Sequence, residues 1–125
     1  MRSNPNDDHW SWGFSFAERR RIEMLNQAIN ILKEQTGIET TEKDWGFESV
    51  TAEREELDPA IVQVSNTELP TLVMTHLYVY VDQESGKDYV VYFLTDIYSE
   101  HEFIRGVLIE GKLQWYLNGA ADDKP

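Results

Sequence analysis

Thr71-Leu72-Val73-Met74-Thr75-His76-Leu77-Tyr78-Val79-Tyr80-Val81-Asp82 and Tyr89-Val90-Val91-Tyr92-Phe93-Leu94-Thr95-Asp96-Ile97 are the two runs that decide the fold. Both are rich in Val, Tyr, Phe and Thr, side chains that suit a pleated and half-buried surface. Between them stands Gln83-Glu84-Ser85-Gly86-Lys87-Asp88, polar and with one glycine, so the runs read as an antiparallel hairpin. A second hairpin follows, in which Phe103 to Ile109 and Lys112 to Asn118 flank Glu110-Gly111, a tight turn with glycine where positive φ is needed. The C-terminal half is therefore a β-meander.

Upstream lies a helix. Ser15-Phe16-Ala17-Glu18 fits a capping box, and Ile22, Leu25, Ile29 and Leu32 recur at spacings of three and four with Ala28 alongside. Gly37 suits a left-handed terminator, so the helix is expected over 16–36, about 31 Å long at 1.5 Å per residue. The middle is less regular. Trp45 to Val50 reads as a first strand, and Thr51 to Leu57 has helix-forming composition. Ile61-Val62-Gln63-Val64 is β-branched and reads as a strand, although Asp58-Pro59 also fits the cap and first turn of a short helix. The order predicts an α+β domain over 14–118: one long N-terminal amphipathic helix packed on a curved, mainly antiparallel sheet of four to six strands. Residues 1–13 read as a flexible tail that docks through aromatics such as Trp10 and Trp12, and 119–125 as a disordered end. The outline resembles the cone-like shape of NTF2-like and cystatin-like domains, a likeness of architecture that assigns no residue a role.

Composition narrows the function classes. At 125 residues the chain makes one compact domain, and 41% hydrophobic content argues against wholesale disorder. No apolar run approaches the roughly 20 residues needed to span a bilayer, and the first residues lack an apolar signal core, so a cytoplasmic protein is expected. The absence of Cys excludes disulfides, thiolate nucleophiles and thiolate zinc sites. Twenty-three Asp and Glu against 11 Lys and Arg give a net charge of −12, which disfavours direct binding to nucleic acid or anionic lipid. Phosphate-loop, dinucleotide and zinc-finger spacings are absent.

Trial registers sort the strand faces. With Ile109 opposite Lys112, one face carries Ile104, Gly106, Leu108, Leu113, Trp115 and Leu117, with Trp115 covering Gly106, and the other pairs Arg105 with Tyr116. With Val81 opposite Tyr89, the face of Val73, Leu77, Val79, Val91 and Phe93 is the one the helix covers. The other face then carries Met74, His76, Tyr78, Tyr80 and Tyr92 with Asp96 beside them, neither polar nor plainly aliphatic. Such a surface is expected to meet a partner, a second copy or a ligand.

On that face His76 lies one diagonal from Asp96, an arrangement in which a carboxylate orients an imidazole for general-base work. No nucleophile accompanies the pair, and the bland alternative is a hydrogen-bonded His in an interface. Glu100-His101-Glu102 has metal-binding residue types, but consecutive side chains splay apart, and no metal or other cofactor is expected. Arg19-Arg20-Arg21 opposes the helix dipole and calls for nearby carboxylates. The most distinctive feature is residues 39–58, which hold eight carboxylates against Lys43 and Arg54, half of the net charge. Of these, Glu42, Asp44, Glu48, Glu53, Glu55 and Glu56 form either a solubilising edge or a docking surface for a basic partner.

The sequence therefore points to a non-enzymatic interaction protein: an adaptor, dedicated chaperone, inhibitor or immunity-type factor, expected as a homodimer or bound to a basic protein. The alternative is a small-ligand or weak acid–base site built on His76, Asp96 and the tyrosines.

Overall fold

The computed structural model describes the backbone of residues 5–119 and side chains from Glu18 to Gly119. The expected docking of Trp10 and Trp12 and the fate of the last residues lie outside the described residues. The architecture is α+β: a long N-terminal helix packs on an open five-stranded antiparallel sheet. Helix α1 spans Pro5–Thr36, continuing upstream of the start that the Ser15 capping pattern sets. Its buried stripe is Met24, Ala28, Ile31 and Leu32, rotated from the expected one, so that Ile22 is 38% exposed. Gly37 ends the helix at φ +83°, its amide donating to the Lys33 carbonyl at 2.8 Å.

The strands are β1 (Trp45–Glu53), β2 (Leu72–Val81), β3 (Asp88–Thr95), β4 (Glu102–Ile109) and β5 (Lys112–Asn118), in that spatial order. The Ile61–Val64 strand is not formed. Those residues lie in a short helix, α2 (Pro59–Val64), because Asp58 accepts a hydrogen bond from the Ala60 amide at 3.0 Å and Pro59 occupies the first turn. Local capping overrides β-branched propensity here. The stretch expected to be helical between Thr51 and Leu57 instead completes β1 and makes one 3₁₀ turn over Arg54–Glu56.

Two cores lie on opposite faces of the sheet. On the α1 side Met24, Ala28 and Ile31 pack on Tyr78, Val91, Phe93 and Val107. On the other, Ile61 of α2 and Leu69 pack on Val73, Tyr92, Leu94 and Ile104. Strand β3 is buried on both sides, and this is why its pattern does not alternate.

The register of the long hairpin differs from expectation by one residue: Val81 pairs with Asp88, and Tyr80 with Tyr89. A one-residue slip exchanges the faces of one strand relative to its neighbour. His76, Tyr78 and Tyr80 consequently share a side with Val91 and Phe93, and it is the side beneath α1. Tyr92 projects the other way, into the second core. The final hairpin begins as expected, Ile109 opposite Lys112, with Glu110 (φ 53°) and Gly111 (φ 81°) in its turn. An irregularity after Leu108 then moves Trp115 opposite Val107 and Arg105 opposite Leu117. Gly106 is therefore covered by Tyr92, not by Trp115.

Candidate functional site

The surface of interest is a groove of about 390 Å³ between α1 and the first two strands. Its roof is Glu18, Arg20, Arg21 and Met24, and its floor is Phe47, Ser49, His76 and Tyr78. The floor follows from the β1–β2 register, which sets Phe47 opposite Tyr78 and Ser49 opposite His76. Directly paired residues share a face, so alternation along Trp45-Gly46-Phe47-Glu48-Ser49 points Trp45, Phe47 and Ser49 toward α1.

Aromatic contacts knit this floor. Phe47 lies 4.9 Å from Tyr78, which meets Phe93 edge-on at 5.8 Å, while Trp45 and Tyr89 flank Tyr80 at 5.8 and 5.9 Å. The Arg21 guanidinium sits 5.6 Å over the Phe47 ring. Tyr78 is buried and its hydroxyl donates to the Arg21 carbonyl at 3.3 Å, anchoring the strand to the helix. Burial raises its phenol to about 12, with Arg21 and then Arg20 pulling weakly the other way. Phe47 itself remains 43% exposed.

His76 is half-buried at the groove floor. Its Nδ1 lies 2.6 Å from Ser49 Oγ and its Nε2 3.2 Å from Thr95 Oγ1. A neutral ring satisfies both, accepting at one nitrogen and donating at the other. Burial, then Arg20, lower its pKa below the usual 6.5, with Glu102 opposing, so the ring is neutral at pH 7. The expected partner is elsewhere: the Asp96 carboxylate accepts from the Tyr98 amide at 3.1 Å and Ser99 Oγ at 3.0 Å, closing the loop between β3 and β4. Among the described residues the site is a hydroxyl–imidazole–hydroxyl chain without a carboxylate to orient it.

The other sequence features separate. Glu100 pairs with Arg20 at 3.1 Å, Glu102 with Arg105 at 2.6 Å, and His101 stacks edge-on against Phe103. Among the described residues no group of three metal-binding side chains gathers. Arg21 pairs with Glu18 at 2.8 Å, the compensation that the arginine run calls for. Met74 is half-buried in β2, between Thr51 and Thr95.

The acidic segment gains a position. Glu48 and Glu53 lie on β1, Glu42 and Asp44 in the 3₁₀ turn before it, and Glu55 and Glu56 in the turn after it. Because among the described residues β1 pairs only with β2, these carboxylates line one open edge of the sheet. Asp44 and Glu56 also accept from the backbone amides of Thr41 and Glu53, and among the described residues none of the six makes a salt bridge. Sequence reasoning missed Phe47 and Ser49 because β1 had no assigned partner; the alternation from Trp45 was the available signal.

No family model, curated protein or solved structure matches the chain. Among the described residues, no helix is long and apolar enough to cross a membrane.

Proposed function

We propose that this chain is a non-enzymatic interaction protein, an adaptor, inhibitor, dedicated chaperone or immunity-type factor, that docks a basic partner at the α1–β1 groove. A chain without Cys needs no oxidising compartment, which suits a cytoplasmic setting. The carrying observation is the half-exposed Phe47 at the mouth of the groove, set directly against an acidic strand edge. An aromatic anchor within a polar rim has the anatomy of a recognition patch, and the carboxylates would steer a basic protein toward it. Of the Tyr/Met face, His76 and Tyr78 line the groove floor, and Tyr78, 1% exposed beneath α1, backs Phe47 without offering a free surface of its own.

The test is affinity capture followed by mass spectrometry, with Phe47→Glu on the groove and Tyr116→Glu on the opposite sheet edge. Partners retained by the wild type and Tyr116→Glu but lost with Phe47→Glu support the reading; identical capture by all three overturns it. A second reading, small-ligand binding or weak acid–base chemistry, is favoured by the Ser49–His76 contact of 2.6 Å. It ranks second because, among the described residues, the ring contacts two hydroxyls and no carboxylate.

A further inference from the structure

An edge strand presents a row of backbone amides and carbonyls to solvent, and native proteins normally shorten, cover or charge such edges. Here β1 is nine residues long, and from Gly46 to Ala52 the described residues supply no backbone partner beyond β2. Its two faces differ. On the α1 side Phe47 and Ser49 border the apolar groove; on the other, Glu48 and Val50 are exposed. Carboxylates stand at both ends, Glu42 and Asp44 before the strand, Glu53 as its last residue, and Glu55 and Glu56 after it.

We infer that the partner segment adds to β1 as a sixth strand, an extended peptide with apolar side chains on alternate positions and Lys or Arg between them and at its ends. The inference rests on the docking reading above and specifies its mode. Strand addition satisfies the free backbone groups, and the side-chain period of two sends alternate residues to opposite faces. One set would enter the groove beside Phe47, under Arg21. The other would lie beside Glu48, where a cation is attracted and a carboxylate repelled. The same charges argue against a second copy as the occupant, because pairing two β1 edges would bring their carboxylates together.

The experiment uses the full chain and fluorescein-labelled nine-residue peptides in fluorescence polarisation. The probe alternates Val or Phe with Lys and carries Lys at both ends. Its controls are a scrambled peptide of the same composition and a version with Glu for Lys. Two further versions are N-methylated at alternate amides, one on each edge of the extended peptide. The alternating probe should bind about tenfold or more tighter than the scrambled and Glu controls, and Phe47→Glu should remove that advantage, as loss of a buried anchor does. Salt should weaken binding. One N-methylated version should bind like the parent and the other should fail, since only one edge of the peptide can pair with β1. Equal binding by both N-methylated versions, or by the scrambled peptide, overturns strand addition. So does a dimer in sedimentation that dissociates on Phe47→Glu, which would assign the edge to a second copy. If strand addition fails while partner capture still depends on Phe47, the docking reading stands alone; if that dependence is also missing, both fall.

Discussion

A methyl group on Gly106 would lie 2.5 Å from the Tyr92 hydroxyl and 2.6 Å from the Trp115 carbonyl oxygen. No flexible side-chain end can absorb both contacts, so the glycine is required by close approach and not by a turn. Tyr92 is 1% exposed, and among the described residues its hydroxyl has no hydrogen-bond partner. A buried and unpaired donor costs roughly 1–3 kcal/mol. Gly106→Ala should therefore lower stability by about 1–3 kcal/mol. Tyr92→Phe should be neutral or stabilising by about 1 kcal/mol. The double variant should recover part of the loss, because the oxygen that the methyl meets is gone. Urea denaturation measures all three, and a neutral Gly106→Ala would show that this packing is not tight. The expectation that Trp115 covers Gly106 had the right physics, a ring over a missing side chain, and the wrong ring. One extra residue near Gln114 decides between them, and nothing in the residue types there announces it.

At the scale of elements, what was legible depended on whether a segment has one apolar face or two. The helix, the two hairpins and the Glu110-Gly111 turn announce themselves through period and turn chemistry. Strand β3 does not disclose which face α1 covers, because from Val91 to Thr95 every residue is buried. With no polar side to fix the phase, a register one residue away separates side chains almost as well, and the His76–Asp96 pairing and the Tyr92 face both followed from that slip. The α2 segment shows the opposite case, in which four residues of strand-like composition yield to one cap. Asp58→Ala should cost about 1 kcal/mol, whereas Asp58→Asn should retain most of the stability, since an amide oxygen still accepts from Ala60. The loss should appear first as faster amide exchange in 59–64 and around Ile61 and Leu69, which close the second core. Uniform exchange in both variants would remove the cap from the explanation of this helix.

On the scale of the whole molecule, one sheet separates two cores, and a phenol is locked in each: Tyr78 under α1 and Tyr92 under α2. Tyr78 is held at about 12 by burial, and burial moves Tyr92 further in the same direction, with Asp58 adding to it. Both folded-state values lie above the unfolded value of 10, so the folded protein binds more protons than the unfolded chain once pH exceeds about 10. The stability contributed by these groups is thus complete below about pH 10 and is lost as pH rises through the folded values. Because the shared sheet forms a wall of both cores, ionising either tyrosine should open the molecule cooperatively. Phenolate absorbance near 295 nm should then show Tyr78 and Tyr92 ionising only as far-UV circular dichroism is lost. Tyr92→Phe should move the alkaline midpoint upward, since the phenylalanine has no proton to lose. Complete tyrosine ionisation with the circular dichroism intact would mean that at least one core admits water without unfolding, and the two-core account of stability would fail with it.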